Sequence, residues 1–209
     1  GLQRYNAFMW GLMKPWIGRR VLEVGAGTGL LTKYLVSSER LLTTDLDPDY
    51  VEWLERTYAD RPNVEVRQVD LATLASQNLE REGFDTVVCA NVLEHIEDDH
   101  ASLCSMRELL VPGGRVVLVV PAIKALYGSI DQAIHHYRRY TVDELRQKFV
   151  AAGFEAEHIN YYNMLGVPGW YLNARILRRR TVPRFQARLN DWLVPILRLE
   201  QHFGPPVGM

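Results

Sequence analysis

Val21-Leu-Glu-Val-Gly-Ala-Gly-Thr-Gly29 is the stretch that decides the fold. Its first four residues are a short apolar run of the kind that forms a buried parallel strand, ending at Val24. Glycines stand at 25, 27 and 29, and Leu30, Leu31, Tyr34 and Leu35 then recur at helical spacing, which predicts a helix over 30–37. Lacking side chains, the glycines allow a tight strand-to-helix turn and let a ligand lie on the backbone. The helix start adds unpaired N–H groups. A dinucleotide turn carries a third glycine where Leu30 stands and seats a pyrophosphate on the helix N-terminus. A phosphate loop needs a Lys where Leu30 and Leu31 stand. The pattern here is G-x-G-x-G preceded by Glu23, a nucleoside-cofactor turn, although a bare glycine turn also serves a purely structural bend.

Working outward, Arg40–Asp45 reads as a second strand, and Asp45 closes it 22 residues beyond Glu23. An acid at that place suits the two hydroxyls of a ribose. Asp47-Pro48 caps a helix over 48–59, so Asp47 reads as an N-cap rather than a ligand contact. Val64–Asp70 alternates as a third strand. Its closing Asp70-Leu71 either meets an adenine amine and packs on the base or is a solvated loop. Phe84–Asn91 is a fourth strand. Glu97, Asp98 and Asp99 then open a helix over 98–110 as capping acids. Val111-Pro-Gly-Gly114 reads as a turn before a fifth strand, Arg115–Val120. Alternating strands and helices define an α/β, doubly wound, mostly parallel sheet, whose ligands bind at the strands' carboxyl ends. Gly25–Gly29, Asp45, Asp70 and Asn91 all fall on that edge.

Before the sheet, residues 4–16 read as a leading helix ending near Pro15, either packed on the sheet edge or closing the cofactor pocket. After it, Pro121–Tyr140 is a long polar and aromatic connection. Thr141-Val-Asp-Glu144 is a capping box for a helix over 142–152 ended by Gly153, and Phe154–Tyr162 reads as a sixth strand. Trp170, Ala174 and Leu177 then form one helical stripe. Phe185, Leu189, Trp192, Leu193, Ile196 and Phe203 form another, interrupted at Pro195. The expected organisation is one domain over 1–209: a leading helix (1–17), a cofactor-binding core (18–162) and a helical appendage on the substrate side (163–209).

Composition is that of an ordinary globular protein, 47% hydrophobic and 23% charged. Cys89 and Cys104 read as reduced core residues of a cytoplasmic protein, with no signal peptide and no membrane-length apolar run. The start at Gly1 rather than Met suggests a trimmed chain. The net charge of −1 hides an asymmetry: residues 160–209 carry seven arginines against Asp191 and Glu200, a net of +5. That end reads as a solvated face or as a surface for an anionic substrate, lipid or partner. A peripheral membrane or anionic-lipid contact through 170–203 therefore stays open beside core packing or a dimer contact. Without a basic groove interleaved with aromatics, nucleic acid is not the expected partner.

Taken together, the residues resemble a class I S-adenosylmethionine-dependent methyltransferase of Rossmann-like fold. The motifs are Glu23–Gly29, Asp45, Asp70-Leu71, Asn-Val-Leu-Glu-His (Asn91–His95) and the Pro-Gly-Gly turn, and the likeness spans about residues 18–162. His136-Tyr-Arg-Arg-Tyr-Thr141, Ala152-Gly-Phe154 and Tyr161-Tyr-Asn163 are similar to a bacterial small-molecule subgroup tied to envelope or sugar metabolism. The resemblance implies S-adenosyl-L-methionine as cofactor and S-adenosyl-L-homocysteine as product. It implies that the Gly25–Gly29 backbone, with Gly25, Ala26, Gly27 and Gly29, holds the methionine part, and Glu23 is counted with the cofactor-binding residues. Asp45 would take the ribose, Asp70 and Leu71 the adenine, and Ala90 and Asn91 the side nearest the sulfonium, with Leu46 also counted as cofactor-binding. The family's final antiparallel strand is missing, since Gly204–Met209 stops where it would begin: either the chain is cut short or the strand is absent.

The reaction expected is in-line methyl transfer to a small-molecule, sugar or lipid-intermediate acceptor. Positioning supplies most of such a rate, and a hydroxyl acceptor also needs a base. His95, His135 and His136 are the base candidates, each with a packing or capping role as the alternative. Tyr127, Tyr137, Arg138 and Arg139 are the acceptor-binding candidates. The two arginines either clamp an anionic group or pair with Glu144, Asp143 or Asp131. No metal site is expected. A non-catalytic cofactor-binding subunit and a nicotinamide-dependent oxidoreductase remain the alternatives, and the chain is expected to be a monomer or homodimer.

Overall fold

The apolar run at 21–24 forms the centre of a parallel sheet. In a computed structural model describing residues 3–71, 73, 79, 82–205 and 207–208, the strands are β1 (Arg20–Val24), β2 (Arg40–Asp45), β3 (Val64–Gln68), β4 (Phe84–Ala90) and β5 (Leu110–Val119). Their order is β3-β2-β1-β4-β5, all parallel. The order reverses around β1, which puts the topological switch point between β1 and β4. Val21, Leu22, Leu41, Leu42 and Val87 are fully buried, as a parallel sheet covered on both faces requires. Residues 10–119 form one compact unit; residues 1–9 and 120–209 form another.

In the sheet unit, α2 (Thr32–Leu35), α3 (Pro48–Tyr58) and α4 (Asp99–Glu108) connect the strands. The helix expected over 30–37 is only the four residues of α2. Gly27–Leu31 is still turn, and Ser37 and Ser38, poor helix formers, lead straight into β2. Asp47 caps α3 by accepting from the Asp49 amide at 2.9 Å, and Asp98 caps α4 by accepting from Ala101 at 2.9 Å. The third strand ends at Gln68 rather than Asp70, because β2 ends at Asp45, whose carbonyl takes the Val69 amide at 2.9 Å. The Pro-Gly-Gly turn lies inside β5 instead of before it. Leu110 pairs with Phe84 and Arg115 with Thr86, so residues 111–114 are looped out of an otherwise continuous strand.

A leading helix, α1 (Gln3–Met13), crosses the boundary between the units and passes into a 3₁₀ turn at Lys14–Trp16 containing Pro15, as expected. In the other unit the connection 121–140 is ordered. It holds a 3₁₀ turn (Lys124–Leu126) and α5 (Ser129–Ala133), and its ends are tied by Ile123 and Tyr140 amides bonding Tyr140 and Pro121 carbonyls at 3.0 Å each. Then come α6 (Val142–Ala151, capped by Thr141), α7 (Gly166–Tyr171), a π turn (Leu172–Ile176), α8 (Arg184–Trp192) and α9 (Val194–Phe203). Pro195 lies in the first turn of α9 and separates it from α8. The sixth strand expected at 154–162 does not form: among the described residues nothing pairs with that segment, and an extended segment without a ladder partner is not a strand.

Candidate active site

The glycine turn is held from two sides. Above β1 the chain turns at Gly25 and Gly27, with φ of +68° and +54°. The Ala26 amide donates to the Thr44 carbonyl at 3.0 Å. The Gly27 amide donates to Asp45 Oδ2 at 2.7 Å, and the Asp47 amide to Asp45 Oδ1 at 3.0 Å. A Cβ on Gly25 would stand 2.3 Å from Val92 Cγ2, whereas one on Gly27 would meet nothing within 4 Å. Gly25 is closed by packing as well as by its backbone, whereas Gly27 opens onto free space.

Glu23 lies beneath the turn, 3% exposed, its Oε2 accepting from Thr32 and Thr43 hydroxyls at 2.7 Å each. Burial pushes its carboxyl up to about 7 against the hydrogen bonds of both threonines, with the Asp45 charge adding to the rise. Glu23 therefore ties the start of α2 to β2 and braces the turn. Thr32 and Thr43 are not singled out by the sequence reading. Their signal was available for Thr43, which is in register with Glu23 on the adjacent strand.

The remaining cofactor candidates follow the same strand ends. Leu46 is exposed just beyond Asp45. Asp70 is half-buried and Leu71 buried beyond β3. Ala90 ends β4, and Asn91, at φ +55°, donates its amide to the Val119 carbonyl at 2.8 Å. Asparagine tolerates this left-handed backbone better than most residues. His95 closes the 3₁₀ turn that follows (Leu93–His95) and is exposed. Cys89 is fully buried with its thiol pushed up by burial and by Glu94, so it is an inert core group.

His135, His136, Tyr127, Tyr137, Arg138 and Arg139 belong to the other unit. His135 is exposed at φ +60° and Tyr137 is exposed, with the Arg138 guanidinium 5.7 Å from its ring. Tyr127 Oη donates to the His136 carbonyl at 2.7 Å. Asp131 gathers the rest: its Oδ1 accepts from Arg139 Nε at 2.7 Å and lies 3.0 Å from His136 Nδ1, and its Oδ2 accepts from the Gly128 amide at 3.0 Å. Arg139, 2% exposed, also donates to the Ala122 carbonyl at 2.9 Å and lies over the Trp170 ring at 4.5 Å. Of the alternatives open for Arg139, the structure takes the pair with Asp131.

A family model described as "Methyltransferase domain" matches residues 22–116, the sheet with its glycine turn. An enzyme named ubiquinone biosynthesis O-methyltransferase in Xanthomonas euvesicatoria is 32% identical over 182 residues, covering 79% of this chain and 73% of that one. A hybrid PKS-NRPS synthetase of Trichoderma harzianum is 34% identical over 131 residues, 57% of this chain but 3% of the synthetase. Among solved structures, the YcgJ protein of a Bacillus species shares the fold at a TM-score of 0.66 and 18% identity, covering 88% of this chain and 81% of that one. An S-adenosylmethionine-dependent methyltransferase from Mesorhizobium loti does so at 0.60 and 19%, covering 76% and 85%. The chain belongs to the methyltransferases, by the family model and by its likeness to the Xanthomonas enzyme. It is a methyltransferase.

Proposed function

We propose that the carboxyl edge of the sheet binds S-adenosylmethionine and that the chain methylates a hydroxyl group of a small-molecule acceptor. The observation that carries the cofactor assignment is the 2.7 Å bond from the Gly27 amide to Asp45, which fixes a carboxylate beside an open glycine turn. A carboxylate has about four lone-pair positions, and the two backbone amides use two, leaving acceptor capacity for a ribose. Open space at Gly27 fits the rest of a nucleoside cofactor. When bound, the cofactor supplies an electrophilic sulfonium methyl. The turn orients it, Asp45 anchors it, and His95, just past Asn91, takes the acceptor's proton.

Two arms test this. Isothermal titration of the chain with S-adenosylmethionine, with NADH as control, should show saturable binding of the first alone, weakened on the order of tenfold or more in Asp45→Asn, which removes a charge-assisted acceptor. Binding of NADH instead overturns the assignment. The relatives named as O-methyltransferases support the oxygen acceptor. Labelled methyl transfer to a panel of phenols, catechols, amines and active-methylene compounds should mark oxygen. His95→Ala should lower kcat by about 10²–10⁴-fold with cofactor affinity unchanged. Label on nitrogen or carbon, or an unchanged kcat, overturns the acceptor reading while leaving the cofactor assignment standing.

A further inference from the structure

The helices at the end of the chain leave a stripe uncovered. Phe185, Leu189 and Trp192 stand at the spacing of one face in α8, and Ile196, Leu199 and Phe203 stand at that spacing in α9. Inward, α9 packs through Val194 and Leu197, 3% and 0% exposed. Outward, Phe185, Trp192 and Phe203 are 75%, 78% and 87% exposed. Large apolar side chains left this bare on two successive helices mark an interaction surface.

Charge decides what covers it. The acids between 184 and 203 are Asp191 and Glu200, and both are spent on the unit's own backbone. Asp191 Oδ1 accepts from the Tyr5 amide at 2.9 Å, and Glu200 Oε1 from the Met164 amide at 2.7 Å. Arg188 and Arg198 are exposed on the same helices, and Arg178, Arg179 and Arg180 are exposed just before them. Arg188 borders the apolar row of α8, and Arg198 lies round the side of α9 from its row, so exposed cationic groups flank the apolar residues. A second copy of the same helices would bring like-charged arginines together around the apolar residues, while Asp191 and Glu200 are already bonded to the unit's own backbone. An anionic bilayer answers both features, because its surface potential attracts the arginines and its headgroup boundary accepts the aromatic rings. Among the described residues no helix is long and apolar enough to cross a membrane. We propose that α8 and α9 dock this chain on anionic lipid bilayers, with Phe185, Trp192 and Phe203 inserted at the headgroup boundary. The proposal stands independently of the methyl acceptor.

Flotation of the full chain with phosphatidylcholine vesicles, with and without phosphatidylglycerol, tests it. The expected result is binding that requires phosphatidylglycerol and weakens as salt is raised. Arg188→Glu with Arg198→Glu should weaken it on the order of tenfold or more. Phe185→Ser, Trp192→Ser and Phe203→Ser together should abolish it with an unchanged circular dichroism spectrum. If that triple variant fails to fold, the arginine variant, altered only at exposed charges, carries the test. Failure of the wild-type chain to bind, or equal binding to phosphatidylcholine alone, overturns the proposal. So does self-association in sedimentation equilibrium that the apolar variant removes, which would assign the stripe to a second copy.

Discussion

Gly25 and Gly27 are two residues apart and share a left-handed backbone, but differ in what a side chain would meet. At Gly25 the Val92 side chain fills the place of a Cβ at 2.3 Å, so Gly25→Ala should destabilise the sheet unit by about 1–3 kcal/mol, the usual cost of overpacking. At Gly27 a Cβ meets nothing, so Gly27→Ala costs only backbone strain, about 1 kcal/mol, yet fills the space where the cofactor is proposed to lie. Urea unfolding and titration with S-adenosylmethionine on both variants should separate them: Gly27→Ala folds and does not bind. Binding by Gly27→Ala at wild-type affinity would sink the placement. Beneath the turn, Glu23 makes a second prediction. Its carboxyl is raised in the folded state from 4.5 to about 7, so the folded state holds the proton more tightly than the unfolded one. That contribution to stability is fully present below about pH 4.5 and is lost as pH rises through about 7, amounting to about 3 kcal/mol. Glu23→Gln keeps a neutral acceptor for the two threonines and should flatten the unfolding free energy between pH 5 and 8. A slope unchanged by the substitution would show that another group carries it.

At the scale of elements, what was legible in the sequence was what depends on local chemistry. Asp47-Pro48 and Thr141–Glu144 announce their helices because a cap needs only a short side chain and a nearby amide, and both form. Asp47→Ala and Thr141→Ala should each cost about 1 kcal/mol, read as a shift in urea midpoint at constant slope. The strands of the sheet were legible as apolar runs, and the edge carrying Gly27, Asp45, Asp70 and Asn91 followed from their ends. What pairing decides was not legible. Phe154–Tyr162 reads as a strand but finds no ladder partner among the described residues, and residues 111–114 punctuate like a turn yet are looped out of β5 because its register with β4 resumes at Arg115. Likewise Glu23 reads as a cofactor contact from its place in the motif. Only the fold shows Thr32 and Thr43 bonding it from within.

Across the whole molecule, the motifs that identify the methyltransferase gather in residues 10–119, while the other unit is organised by Asp131. A long polar connection gave no local cue that Asp131, Arg139 and His136, spread over nine residues, close on one another in a buried core. Burial alone would raise the Asp131 carboxyl, but the His136 hydrogen bond, the Arg139 charge and hydrogen bond and the Gly128 amide together hold it below its ordinary 3.8. The folded pKa is depressed, so this contribution is present above about pH 4 and is lost as pH falls through the lowered value. Asp131→Ala strands the Arg139 guanidinium in the interior, and breaking a buried pair from one side costs about 3–5 kcal/mol. The penalty should fall on the unit that contains the pair. Hydrogen exchange on Asp131→Ala should show lost protection in α5, α6 and the Tyr140 amide, with β1 and β4 still protected and S-adenosylmethionine still bound. Uniform loss of protection with loss of binding would show instead that the two units unfold as one.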